Sequence, residues 1–155
     1  MKRTVLRILA TCYIILVWTA FVLDNERPAG GAPVAVIILT SFGICGYISG
    51  LISACLDRKK LSTVLLTLIF CVAFTLGTFS YFYWSYGTPS NFGVSLTHLD
   101  AFYFAMGTLS TAGTGTINAS SELARGLQTA QTGLDSVLVL FAIGLVVARF
   151  TSADN

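Results

Sequence analysis

Charged side chains are scarce in this sequence. Asp, Glu, Lys and Arg make up 10% of its 155 residues, whereas they make up about 25% of a typical soluble domain. Apolar residues reach 55%, and the mean hydropathy is +0.80. Because a soluble globule must cover its surface with polar side chains, this composition excludes an ordinary soluble domain. It favours a protein that has the lipid bilayer as its solvent and partner.

Metal-ligand clusters, paired cysteines and a basic stripe are also lacking. The chain has one histidine, His98, and its cysteines show no C-x-x-C spacing, which argues against zinc or redox chemistry, so we expect no cofactor. The net charge of +2 is small and dispersed, which argues against a nucleic-acid partner. No nucleophile stands beside a base, so we expect no enzyme. The cysteines are expected to be small buried apolar side chains: Cys12, Cys45, Cys55 and Cys71.

Long apolar runs are what the sequence has instead. Four of them cover residues 5–23, 33–56, 61–83 and 123–149. Each is long enough to cross a hydrocarbon core of about 30 Å, which needs about 20 helical residues. The first run is too long for a signal peptide and is followed by no clear cleavage site. We therefore predict an all-α membrane protein with four transmembrane helices.

The basic residues predict how these helices are oriented. Seven of the nine lie before or at the start of the first run, between the second and third, or at the end of the fourth: Lys2, Arg3, Arg7, Arg58, Lys59, Lys60 and Arg149. Basic residues mark the cytoplasmic side of a membrane protein. The expected topology is a multi-pass protein of the cell membrane with both termini in the cytoplasm, and no regulatory domain is expected after the last helix.

The stretch between the third and fourth runs is too apolar for a solvent loop and too interrupted for a full crossing. Its Thr97-His98-Leu99-Asp100 places a hydroxyl three positions before a carboxylate, the pattern of a helix capping box, and predicts a helix over 97–110. Alternating glycines follow at Gly113 and Gly115. Glycine takes positive φ without a Cβ penalty, so successive carbonyls can turn toward one axis. Irregular backbone at membrane depth must be buried or line water, so the pattern predicts a re-entrant loop.

These residues carry a resemblance to a known family. The segment from Asp100 to Gly115, DAFYFAMGTLSTAGTG, resembles the pore helix and T-V-G-Y-G selectivity filter of potassium channels. Arg125, Gln131 and the Ile143-Gly144-Leu145-Val146 stretch before Arg149 resemble the inner helix of that family. The resemblance implies a pore domain over 61–155, with an outer helix at 61–83, a pore helix at 97–110, a filter at 111–116 and an inner helix at 123–150. Residues 1–60 would be two additional helices and a cytoplasmic linker.

The resemblance also implies an assembly and a set of ion ligands. One loop supplies a quarter of each carbonyl ring, so a homotetramer is expected. The family's ligands correspond here to the carbonyls of Thr111, Ala112, Gly113 and Thr114 and to the Thr111 hydroxyl, with Gly115 completing the filter. The expected function is passive conduction of cations, with K⁺ first.

Three residues depart from the family pattern and leave the choice of ion open. Ala112 stands for the usual valine, Thr114 for the usual aromatic and Thr116 for the usual aspartate. Unless Tyr103 or Trp84 fills the missing volume, the filter would be looser than in the family. The alternative is therefore a weakly selective channel that also conducts Na⁺.

Asp135 is the one carboxylate well inside an apolar run. Gln128, Thr132 and Asp135 recur at helical spacing, so Thr132 and Asp135 are candidates to line the pore; the alternative for Asp135 is a hydrogen bond to Gln131 or to a neighbouring helix. A small proton-coupled exporter built around Asp135 is a less favoured function. Gly144 is a candidate gating hinge, although close helix contact explains it equally well.

Overall fold

The structure is a computed structural model that describes residues 12–13, 15–19, 21–23, 26–28, 32, 34–56 and 61–153. Its helices are α1 (Val34–Leu56), α2 (Leu61–Ser85), α3 (Pro89–Phe92), α4 (His98–Leu109) and α5 (Glu122–Ala153). The described residues before position 24 are helical too, and no strand occurs among the described residues. The all-α prediction is confirmed.

The predicted helix bounds agree with these to within a few residues. α2 runs two residues beyond 83, α4 lies inside 97–110, and α5 starts one residue earlier and ends later than expected. The basic residues that set the predicted orientation lie outside the described residues, except Arg149, whose backbone is helical. They are Lys2, Arg3, Arg7, Arg58, Lys59 and Lys60.

Only one helix of the described part of the chain is long and apolar enough to span a membrane, the stretch Ser62–Ser85 of α2. In α1 the described apolar stretch is the shorter Ile38–Gly50. α5 is long, but its first half carries polar side chains, including Glu122 and Asp135. Of the four predicted spans, one meets this test of length and composition within the described residues, and part of the first run, 5–23, lies outside them.

α2 is the central helix of the fold. It packs against α1, α4 and α5, and α4 in turn packs against α5. The main apolar core lies where the last turns of α2 meet α4, and Tyr83, Leu96, Ala101 and Phe104 are completely buried there. The fold therefore builds its firmest packing around the short helix α4.

Several aromatic residues at the end of α2 contribute to this core. Tyr81, Tyr83 and Trp84 are each exposed by 7% or less. The Tyr83 ring centroid lies 4.7 Å from that of Phe104 in α4, edge to face. Such contacts stabilise a core beyond simple burial, by about 0.5–1.5 kcal/mol each.

Residues before α1 also reach this core. The Trp18 Nε1 donates a hydrogen bond of 3.2 Å to the Ala73 carbonyl, and its ring lies 5.9 Å from that of Phe102. Arg27 donates from two guanidinium nitrogens to the carbonyls of Gly87, at 2.6 Å, and Leu96. The N-terminal region is thus attached to the loops around α4 by specific polar contacts.

The glycines and cysteines of the apolar helices differ in their contacts and burial. Gly43 lies against the Phe74 ring, whereas Gly46 and Gly50 face open space within the described chain. Cys71 is buried as expected, but the expectation is wrong for Cys12 and Cys45, which are exposed on the isolated chain. These two lie on helix faces that no other part of the described chain covers.

Candidate functional site

The candidate site begins at the first turn of α4. The Thr97 N–H donates to Asp100 Oδ2 at 2.9 Å, and the Asp100 N–H donates back to Thr97 Oγ1 at 3.2 Å. The predicted capping box is therefore confirmed. Hydrogen bonds from the Thr97 side chain and backbone hold the pKa of Asp100 below its usual value of 3.8. The acidic cap also stabilises the positive end of the helix dipole.

The other end of α4 is held from α5. The Gln131 Nε2 donates to the Ala105 carbonyl at 2.8 Å, and Gln131 is fully buried. Ala105 lies one turn before the end of α4, so this bond joins the two helices close to the point where α4 ends. At about 1.5 Å per residue, the twelve residues of α4 span roughly half the thickness of a hydrocarbon core.

The backbone after α4 has an unusual run of conformations. Thr111 has φ 54°, Gly113 has φ 91° and Gly115 has φ 64°. Positive φ was expected for the glycines but not for Thr111, where it costs about 1–3 kcal/mol. Residues 110–113, 115 and 116 are exposed on the single chain. Alternate residues of this segment thus turn the backbone sharply while it stays accessible.

The carbonyl groups of this segment are mostly unpaired by the described chain. Its backbone hydrogen bonds are Thr111 N to Thr108 O and Ile117 N to Thr114 O, both 3.3 Å. The carbonyls of Thr111 and Ala112 accept none from the described residues. They are free acceptors, and backbone carbonyls of this kind can coordinate a dehydrated cation.

The Gly113 carbonyl has a different surrounding. A Cβ placed on Gly107 of α4 would lie 2.4 Å from the Gly113 oxygen and 3.2 Å from its carbonyl carbon. The oxygen is therefore directed toward α4, and only a glycine at 107 permits this approach. For this carbonyl to face an axis on the open side of the loop, the peptide unit must turn.

Tyr103 lies beside Gly115, in the segment expected to form the filter. Its hydroxyl would be 3.2 Å from a Cβ on Gly115. Trp84 instead stacks on His98, with ring centroids 4.4 Å apart. The Thr114 side chain donates to the Ile117 carbonyl at 2.8 Å and closes the loop locally. Of the two aromatic residues considered for this role, Tyr103 is the one beside the glycines.

The polar residues of α5 do not share one environment. Thr132 is exposed and Gln128 is half-buried, whereas Asp135 is only 3% exposed. Asp135 lies on the side of α5 that packs against the rest of the chain, together with Gln131. The structure therefore leaves Thr132 on an open face and places Asp135 inside the subunit.

Two further candidates can be located. Gly144 lies inside the unbroken helix α5, and a Cβ there would meet nothing within 4 Å. His98 is half-buried between Trp84 and Phe21, whose ring lies 5.2 Å away. No cluster of three or more His, Cys, Asp or Glu residues that could hold a metal ion occurs among the described residues.

Comparisons of the chain with protein-family models, curated protein sequences and solved structures found no match.

The contacts of Arg27 and of the buried Tyr83 were not anticipated from the sequence. Arg27 is a basic residue on the expected outer side of the membrane, and this position is the sequence feature that could have indicated a structural role. Tyr83 looks like any aromatic residue at the end of an apolar run.

Proposed function

We propose that this chain is the subunit of a tetrameric cation channel of the potassium-channel pore class, with the filter formed by residues 111–115. The observation that carries the proposal is the sequence of a capped, half-membrane-length helix followed by exposed backbone with positive φ at Thr111, Gly113 and Gly115. Unpaired carbonyls follow directly from the end of a buried helix. This arrangement is expected of a loop whose acceptors serve an ion rather than the protein.

The free carbonyls of a single subunit supply only part of the coordination shell that an ion needs. A dehydrated monovalent cation needs ligands all around it, so further copies must complete each ring, and cyclic symmetry with four copies does so. In this assembly the carbonyls of Thr111 and Ala112 face the axis; that of Gly113 joins them when its peptide turns away from Gly107, and that of Thr114 joins them when it gives up its hydrogen bond from the Ile117 N–H. The negative end of the α4 dipole, near Leu109, favours cations at the inner end of the filter.

The outer surface of the helices supports a membrane location. Large apolar side chains remain exposed on the isolated chain, among them Ile38, Leu39, Phe42, Leu65, Leu66, Ile69, Val139, Leu140 and Ile143. Exposed apolar surface of this extent needs lipid or another copy to cover it. In the proposed assembly four helices per chain cross the cell membrane with both termini in the cytoplasm, and the exposed Thr132 lines the water-filled cavity below the filter.

We propose K⁺ as the main conducted ion. The alternative within the same function is a channel that selects only weakly against Na⁺. Tyr103 beside Gly115 supplies some of the packing that Thr114 cannot. Its side chain is still 53% exposed, so the support depends on contact with a neighbouring subunit. A filter held at fixed spacing selects by the number and field of its carbonyls, and a loose one selects less.

The buried position of Asp135 argues against the alternative of a proton-coupled exporter. An exporter must offer its carboxylate to water on each side in turn, and Asp135 is 3% exposed, packed within the subunit. Gly144, with open space around it in α5, remains the place where the inner helix can bend during gating.

The test is cation flux through purified protein in liposomes, with K⁺, Na⁺ and Cs⁺ gradients compared. Gly113→Ala is the deciding variant, because an alanine there meets no atom within 4 Å but must hold φ 91°. Gly93→Ala is its matched control, since Gly93 has φ 71° and equally open surroundings outside the filter. Each substitution adds a backbone strain of about 1–2 kcal/mol.

The expected result is a loss of flux with Gly113→Ala and retained flux with Gly93→Ala, with K⁺ preferred over Na⁺. Equal flux in both variants would remove the filter from the conduction path. Proton-coupled transport that needs Asp135 and ignores Gly113 would establish the exporter instead.

A further inference from the structure

A buried polar cluster lies where α2, α4 and α5 meet, behind the end of α4. Its four side chains come from all three helices: Tyr83 of α2, Thr108 of α4, and Gln131 and Asp135 of α5. Tyr83 and Gln131 are fully buried, Asp135 is 3% exposed and Thr108 is 7% exposed. Tyr83 adjoins Thr108 and lies within electrostatic reach of Asp135, and Asp135 adjoins Gln131 one turn earlier on α5.

Part of this cluster is already hydrogen-bonded to α4. Gln131 donates to the Ala105 carbonyl, and the Thr108 hydroxyl donates to the Phe104 carbonyl at 2.9 Å. The buried atoms left without a partner are the Tyr83 hydroxyl, Gln131 Oε1 and both carboxyl oxygens of Asp135. Unpaired buried groups of this kind are costly, so a set of four in one place calls for a shared explanation.

Counting donors and acceptors indicates the protonation state. If Asp135 is ionised, Gln131 Oε1 and the two carboxyl oxygens are three buried acceptors, and none of them has a donor among the described residues. If Asp135 is a neutral acid, its O–H is a donor for Gln131 Oε1. The neutral acid is therefore the form in which these two neighbouring side chains can pair.

The charges around Asp135 lead to the same conclusion. Within the described residues no partner, basic side chains included, is found for either carboxyl oxygen of Asp135; the groups coupled to it electrostatically are Gln131 of α5 and the Tyr83 phenol of α2. An unpaired carboxylate among these groups would carry the full cost of burying a charge. Protonation avoids that cost.

We propose that Asp135 is a neutral carboxylic acid and a positioning residue, which donates to Gln131 Oε1 and so fixes the Gln131 bond to Ala105. This relay ties α5 to the last turn and a half of α4. Because the filter segment starts where α4 ends, the relay sets the position of Thr111 and the residues after it. This last consequence rests on the proposed function; the protonation state of Asp135 does not.

The first measurement is infrared difference spectroscopy of the full chain in lipid at neutral pH, Asp135→Asn against the unsubstituted protein. The expected spectrum shows loss of the carbonyl stretch of a protonated acid. Asp100→Asn is the matched control, because Asp100 is an ionised, capping carboxylate and its removal deletes a carboxylate stretch. Loss of a carboxylate stretch with Asp135→Asn would overturn the proposal.

The second measurement compares cation flux and reversal potential in two variants of similar size. Asp135→Asn keeps one donor and one acceptor and is expected to retain both properties. Asp135→Leu leaves Gln131 Oε1 without a donor, and flux per protein should fall about tenfold with weaker K⁺ preference.

Equal flux in the Leu and Asn variants would contradict the positioning role. If the Leu variant does not fold, the infrared comparison still decides the protonation state. A protein that shows the acid band but conducts no cation in any form would keep the assignment of Asp135 and reject the channel.

Discussion

Helix α4 and the segment that follows it differ in how many of their groups have packing or hydrogen-bond partners within the chain. In α4 the buried side chains Ala101, Phe104 and Ala105 are fully enclosed, and the first turn is closed by reciprocal hydrogen bonds. In the next segment Thr111 and Ala112 are exposed, and their carbonyls have no partner in the described chain. One part is complete within the subunit, and the next is not.

The difference indicates what each part is for. A helix that is packed on α2 and tied to α5 forms when the chain folds, because its buried face is held by contacts within the chain. A segment with positive φ at a threonine and free carbonyls has few hydrogen bonds from its own chain to offset its strain, and in the proposed channel other copies and an ion would stabilise it. We therefore expect substitutions in the two parts to have different effects.

The largest expected effect comes from the point where the two parts touch. A Cβ on Gly107 would lie 2.4 Å from the Gly113 oxygen, a backbone atom that cannot move aside cheaply. Gly107→Ala should displace the filter segment at a cost of about 1–3 kcal/mol and abolish selective flux. The measurement is flux in liposomes together with the oligomeric state in detergent.

Gly126→Ala is the control for that substitution. Gly126 is also helical, but a Cβ there meets nothing within 4 Å. Alanine is the better helix former by about 1 kcal/mol, so this variant should be neutral or slightly stabilised. Unimpaired conduction in Gly107→Ala would mean that the filter does not depend on its close approach to α4.

A smaller effect is expected at the outer attachment of the N-terminal region. Arg27 donates to the carbonyls of both Gly87 and Leu96, which flank α3 and precede α4. Lysine cannot span both acceptors in the same fork geometry. Arg27→Lys should lower the free energy of unfolding by about 2 kcal/mol, the order of a hydrogen bond to a charged group.

Chemical unfolding in detergent micelles measures this loss. Arg125→Lys serves as the comparison, because Arg125 is exposed at the start of α5. We expect no more than a few tenths of a kcal/mol there, as for other exposed charges. Equal losses for the two arginines would mean that the contacts of Arg27 contribute nothing specific.

Much of this architecture could be predicted because local signals determine it. Apolar runs indicated α1, α2 and α5, and the threonine and aspartate three residues apart indicated where α4 begins. Helix α3 was not predicted, since four residues carry no periodicity, although Pro89 at its start and Gly93 at its end, with φ 71°, are recognisable afterwards.

The direction of the polar residues on α5 was harder to predict, for a physical reason. Helical spacing groups Asp135 with Thr132 and Gln128, and equally with Gln131 one turn earlier. The helical period shows which residues share a face of α5, but it does not show whether that face contacts other helices or remains exposed. Only the packing of α5 against α2 and α4 separates the exposed Thr132 from the buried Asp135. The same holds for the aromatic residues at the end of α2, because their positions in the sequence do not show that Tyr81, Tyr83 and Trp84 are buried.

The smallest expected effect concerns the capping box, the most local of the structures around the site. Asp100→Asn removes the charged acceptor of the Thr97 N–H and should lower the free energy of unfolding by about 1 kcal/mol at neutral pH. The folded-state pKa of Asp100 lies below its usual value of 3.8, so the carboxylate stabilises the fold above that value. This stabilisation is lost as the pH falls through the folded-state pKa.

The difference in stability between Asp100→Asn and the unsubstituted chain should therefore be constant near neutral pH and shrink below about pH 3.8. Thr97→Ser is the control, because serine retains the hydroxyl that accepts from the Asp100 N–H. Flux per folded protein should change little in either variant, since α4 keeps its packing on α2. A loss of K⁺ preference with Asp100→Asn would instead mean that the start of α4 controls the filter as strongly as its end, and the contrast between the two parts of the site would then be wrong.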